Sequence, residues 1–109
     1  MISRKELDKV KMYFHELDTK RPSEVRLKDI SKMFKKIGFE GPINKPGSAR
    51  KFKHDLLDEQ IFLNKTISIH VLHGRSPERI TFRDYKKYLR FGIHSVIFEI
   101  ENRGLVSEG

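Results

Sequence analysis

Between Ser3 and Leu17 the apolar residues Leu7, Val10, Phe14 and Leu17 recur at intervals of three and four, while Arg4, Lys5, Lys9 and Lys11 occupy the other side. That spacing predicts an amphipathic helix. The polar run Thr19-Lys20-Arg21-Pro22-Ser23 breaks the pattern, and Pro22 disfavours helical geometry at Arg21, so a linker turn is expected there. Leu27, Ile30, Phe34 and Ile37 restore the helical spacing, and Gly38 stands where a left-handed cap ends a helix. A second helix over 27–37 follows.

The period then changes. The stretch 39–46 holds Gly41, Pro42 and Pro46, which leaves room for one short edge strand around 39–43 because proline cannot donate to a central ladder. Phe52 lies between Lys51 and Lys53, and Ile67, Ile69 and Val71 alternate with Ser68, His70 and Leu72. Both stretches have the two-residue period of half-buried strands, which turns His70 away from the core. Residues 56–65 fit either a wide turn or another short strand at 61–63 closed by Asn64-Lys65. After the turn signal Ser76-Pro77, residues Tyr85, Leu89, Ile93, Val96 and Ile100 trace a long helix that Gly104 ends. Gly92 weakens it by about 1 kcal/mol relative to Ala, so one long helix and two helices meeting near Phe91 both fit. The order predicts an α+β domain with helices packed on one face of an antiparallel sheet.

Length and charge narrow the functional classes. The 109 residues suit a single domain over 1–109 with one modest core. A formal charge of +8 sets up a field that concentrates polyanions, making nucleic acid the first partner to weigh against mere solubility charge. The chain has no cysteine, which excludes disulfides, thiol nucleophiles and thiolate zinc sites. No apolar run approaches the roughly 20 residues of a spanning helix, and no secretion-signal core is seen at the N-terminus. A cytoplasmic protein without membrane association is expected.

Three constellations can carry chemistry. His70 and His73 exchange protons near neutral pH, but residues three apart on a strand point to opposite faces, so a shared metal is not expected. Gly47-Ser48 beside Arg50, Lys51 and Lys53 can bring backbone, hydroxyl and cations up to a phosphate chain, although lysines guarding a strand edge give the same pattern. Arg79, Arg83, Lys87 and Arg90 would form one basic stripe on a helix, and Lys28, Lys32 and Lys35 a shorter one. The first is the preferred RNA contact because it follows directly on the His-bearing strand. Either could be a solvated face. The candidate RNA-binding residues are Lys45, Ser48, Arg50, Lys51, Lys53, Arg75, Arg79 and Arg83.

The order of these motifs resembles the HicA family, small toxins of toxin–antitoxin pairs, through nearly the whole chain. The likeness is carried by Ser-Arg-Lys-Glu-Leu near the start, by Pro22-Ser23-Glu24-Val25-Arg26-Leu27-Lys28-Asp29-Ile30, and by Ile37-Gly38-Phe39-Glu40. Gly47-Ser48 with Arg50-Lys51-Phe52 is similar to the family's Gly-Ser-His segment, Ile69-His70-Val71-Leu72-His73 to its third strand, and Arg90-Phe91-Gly92-Ile93 through Asn102-Arg103-Gly104-Leu105 to its last helix. The resemblance implies a small double-stranded-RNA-binding-like domain, an α-β-β-β-α core over 23–109 with an extra N-terminal helix over 1–22. It further implies metal-independent mRNA cleavage with no small-molecule cofactor, and neutralisation by a HicB-type antitoxin protein. In that setting the greasy run Leu56, Leu57, Ile61, Phe62 and Leu63 is expected to help dock the antitoxin.

Two departures bear on catalysis. The stretch 74–88 is longer than the family's usual link to the final helix, and Ala49 stands where the family commonly has its catalytic histidine. The expected catalytic set is therefore position 49 with His70 and His73. Either the chain works through His70 or His73, or it is an inactive member, or Ala49 replaces a histidine. Gly-Ser-His-Arg-Lys-Phe would match the family best. The alternative is a non-catalytic RNA-binding module.

Overall fold

The computed structural model describes residues 2–44 and 47–108. In chain order it contains β1 (Ile2–Ser3), α1 (Arg4–Lys20), β2 (Glu24–Arg26), α2 (Leu27–Lys36), β3 (Glu40–Asn44), β4 (Ala49–Lys53) and β5 (Thr66–His70). It continues with β6 (Arg79–Thr81), α3 (Phe82–Asp84), a π-helical turn (Tyr85–Leu89), α4 (Arg90–Asn102) and β7 (Val106–Ser107).

The helices begin and end for local reasons. Ser3 caps α1, its hydroxyl accepting the Glu6 N–H at 3.1 Å, which satisfies one of the donors a helix start leaves open. The helix runs on to Lys20 and stops at Arg21, whose left-handed backbone lets its N–H reach the Leu17 carbonyl. The linker expected over 19–23 thus shrinks to the residues around Pro22. Gly38, at φ +95°, ends α2 as its position suggested. A side chain there would also press on His54, since an added Cβ would lie 3.1 Å from Nε2.

The central sheet is antiparallel in the order β3-β4-β5, and β3, which contains Pro42, is the edge strand that proline permits. Phe52 pairs with Ile67 in register, and both are buried. Phe34 of α2 meets Phe52 edge-on at 4.6 Å, and Gly92 of α4 lies against Ile67, so both helices cover the same face. Helix α1 packs over them through Phe14, whose ring contacts Phe34 and stacks on Tyr85. Burying a side chain of this size contributes roughly 1.5 to 3 kcal/mol, and Phe34→Ala would cost about 3 to 5 kcal/mol.

Two short pairings differ from the expected pattern. Strand β2 pairs antiparallel with β6, and β1 pairs parallel with β7. Residue 79 is therefore extended rather than helical, which breaks the expected Arg79, Arg83, Lys87 and Arg90 stripe. The final helix does not split near Phe91. It carries its irregularity one turn earlier, where the Arg90 N–H reaches back to the Tyr85 carbonyl. The segment 61–63 is no strand; it turns into a 3₁₀ turn at Leu63–Lys65, with Asn64 at φ 56°.

Candidate functional site

The register of β4 and β5 builds the site. Ala49 pairs with His70, Lys51 with Ser68 and Lys53 with Thr66, and residues directly opposite in an antiparallel pair project to the same face. That face is the one the helices leave open. His70, Ser68 and Lys53 are exposed on it, so His70 stands as the alternation indicated, beside position 49 and in line with Lys51 and Lys53.

Ser48, just before β4, places its Oγ 3.0 Å from His70 Nδ1. Its carbonyl accepts the Val71 N–H at 2.9 Å, which ties the turn to the end of β5. His73 lies beyond that strand end and is exposed. It shares with Gly47, Ser48, Arg50, Arg75 and Glu78 the lining of a shallow cavity of about 250 Å³. Position 49, Ser48 and His70 thus come together at one end of the sheet, and His73 shares a cavity with Ser48 there.

Arg50 has a different role from its neighbours. Its side chain is only 12% exposed and forks onto Glu78, with Nε donating to Oε1 at 3.2 Å and a second contact from Nη2 to Oε2. Nη1 donates to the Gly47 and Ala49 carbonyls at 3.0 and 2.9 Å. The hydrogen bond from Arg50 holds the Glu78 carboxyl below the ordinary carboxylate range, and Glu78 in turn raises the guanidinium. Arg50 therefore braces the turn that carries Ser48 and Ala49. Glu78 was not foreseen, because a pair 28 residues apart leaves no local pattern.

The other expected RNA contacts are dispersed. Arg75 pairs with Glu24 at 3.1 Å, Arg79 lies on β6, Arg83 is exposed on α3, and Arg90 faces Asp18 at 3.6 Å. Lys45 lies outside the described residues. Among the described residues, no three His, Asp or Glu side chains gather as metal ligands would, and no helix is long and apolar enough to cross a membrane.

Two further surfaces stand out. The run 56–63 contributes Leu57 to the core but leaves Ile61 and Leu63 exposed. Leu56, Ile61 and Phe62 join Phe91 and Phe98 of α4 around an open cavity of about 370 Å³. A cavity of about 670 Å³ runs along α2, with Arg26, Lys28, Lys32 and Lys35 on the helix side and Pro42 and Glu78 also in its lining.

Set against known proteins, the chain matches no family model, no curated protein and no solved structure.

Proposed function

We propose that this chain is the RNA-directed member of a toxin–antitoxin pair, similar to HicA toxins, with a double-stranded-RNA-binding-like core. It acts on mRNA in the cytoplasm through metal-independent chemistry and is neutralised by a HicB-type antitoxin. The order α2-β3-β4-β5-α4, with both helices on one sheet face, supports the fold assignment. The single observation that carries the functional reading is the cross-strand pairing of Ala49 with His70 on the open face.

Directly opposite residues have Cβ atoms about 4.5–5.5 Å apart, so a histidine at position 49 would stand beside His70 as a second proton carrier. One group takes the proton of a ribose 2′-hydroxyl as its oxygen attacks phosphorus. The P–O5′ bond then breaks, the departing 5′-oxygen receives a proton from the other group, and a 2′,3′-cyclic phosphate and a 5′-hydroxyl result. Lys51 and Lys53 lie along the same face to balance the negative charge that grows on the phosphorane.

With alanine at 49 the chain keeps one of the two imidazoles, and losing an acid–base group typically costs about 10²- to 10⁴-fold in rate. That observation favours the second reading, a protein that binds RNA and cuts it slowly or not at all. The deciding experiment compares the chain with its Ala49→His variant on a defined mRNA in the presence of a chelator. The variant is expected to cleave about 10²-fold faster or more and to leave cyclic phosphate ends. If neither protein cleaves and the variant does not inhibit growth, the nuclease reading falls.

The apolar surface around Ile61, Phe62, Phe91 and Phe98 supports antitoxin docking in this reading. Replacing Phe62 and Leu63 by Ser is expected to weaken co-purification with a HicB-type partner, and an unchanged complex counts against it.

A further inference from the structure

The positive charge is distributed unevenly. Arg26, Arg50, Arg75 and Arg90 each lie within 4.0 Å of a carboxylate, and so does Lys36 of α2, which reaches Glu6. Lys28, Lys32 and Lys35 on the same helix are exposed, and among the described residues none of them has an acidic partner at that distance. The spacing of four and three puts them on one side of the helix, over about 10 Å of its axis.

This stripe borders an open concavity. It forms one wall of the cavity of about 670 Å³ along α2. The acids in that cavity are already engaged, Asp29 by Arg26 at 3.0 Å and Glu78 by Arg50. Ser31, only 9% exposed, lines the same cavity with its hydroxyl unpartnered. Glu78 also lines the smaller cavity that holds Ser48 and His73, so the two depressions meet at a carboxylate that Arg50 has neutralised.

We infer that the α2 groove is a second binding surface for the RNA backbone, in which Lys28, Lys32 and Lys35 hold phosphates of the strand whose continuation passes Glu78 to the His70 face. The inference rests on the RNA reading above and assigns its non-local contacts to α2. It reverses the preference for the Arg79-to-Arg90 stripe, which the fold breaks. Each lysine–phosphate contact releases condensed cations, so the groove contributes affinity that falls steeply with salt and carries no base preference.

The test titrates a fluorescent single-stranded RNA, long enough to reach from α2 to β5, by anisotropy at several salt concentrations. The proteins are the chain itself, a Lys28→Gln/Lys32→Gln/Lys35→Gln variant, the matching Lys→Arg variant, and a Lys51→Gln/Lys53→Gln variant. Thermal melts of each verify folding. The α2 Gln variant is expected to lose at least about tenfold in affinity, with a log–log salt slope shallower by about 2, since each single-strand contact contributes about 0.7. The Arg variant is expected to retain both. If the α2 Gln variant binds like the parent while the Lys51/Lys53 variant loses affinity, the groove is not an RNA surface, although the RNA reading survives. If the parent chain binds no RNA, or binds it independently of salt, both readings fall together.

Discussion

The Ser48 hydroxyl sits 3.0 Å from Nδ1 of His70, so the imidazole is held by the nitrogen nearer its backbone and Nε2 is the one left for a ligand. A hydroxyl can donate to a ring nitrogen or accept from a ring N–H. Which it does decides whether Nε2 offers a proton or takes one. Ser48→Ala is expected to leave thermal stability nearly unchanged while altering the His70 tautomer ratio, read from its ring ¹⁵N shifts. In the Ala49→His background it should lower cleavage. Identical ring shifts with and without the hydroxyl would show that Ser48 does not position His70.

Arg50 and Glu78 form the brace behind that turn. Arg50→Ala is expected to destabilise by about 1.5 to 3 kcal/mol, the range for hydrogen bonds to charged groups, because it also abandons the Gly47 and Ala49 carbonyls. Glu78→Gln should cost less, roughly 1 kcal/mol, since its carboxylate is partly exposed and screened. Urea unfolding of the two variants measures the difference, and equal costs would contradict the bracing role.

The same pair makes stability sensitive to acid. Hydrogen bonds from Arg50 and from Lys36 lower the carboxyl pKa values of Glu78 and Glu6 in the folded state. A depressed folded pKa stabilises above the unfolded value, and the contribution is lost as pH falls through the folded one. The melting temperature should therefore decline as pH drops below about 4.3, the ordinary glutamate value. The Glu78→Gln variant should decline less steeply over that interval.

Tyrosine 85 gives the opposite limb. It is fully buried, its hydroxyl has no partner, and burial, with Asp18 adding to it, pushes its pKa up strongly. Burial also raises Tyr13, to about 12. A raised folded pKa means stability that is complete below the unfolded value near 10 and lost as pH rises through the folded one. Absorbance at alkaline pH should show both phenols ionising above the ordinary tyrosine value, fully buried Tyr85 the later of the two. Tyr85→Phe removes an unsatisfied hydroxyl and is expected to be neutral or to stabilise by up to about 1 kcal/mol.

Gly92 is set by tertiary contact rather than by helix preference. Alanine in a helix interior gains about 1 kcal/mol over glycine, but its Cβ would stand 2.9 Å from Ile67 Cγ2, and overpacking costs about 1 to 3 kcal/mol. Gly92→Ala should therefore destabilise on balance. Ile67→Leu, which removes the Cγ2 branch, should recover part of that loss in a double-mutant cycle. A stabilising Gly92→Ala would mean that α4 and β5 are not in this contact.

The apolar periods of Leu7 to Leu17, Leu27 to Ile37 and Tyr85 to Ile100 were sufficient to place the three long helices, and the alternation of Ile67, Ser68, Ile69 and His70 was sufficient to put an imidazole on the open sheet face. These are local signals, in which the side chains that must share a face are neighbours along the chain. The three-residue strands β2 and β6 are too short to show a period, and their partners lie more than fifty residues apart. The same limit hid the pairing of Arg50 with Glu78, which turned an expected phosphate ligand into a structural brace. It hid the approach of Ile67 to Gly92, and it hid the convergence of the α2 lysines with Glu78 around one cavity. Such features arise only when distant segments pack, because burial and ion pairing depend on which surfaces meet.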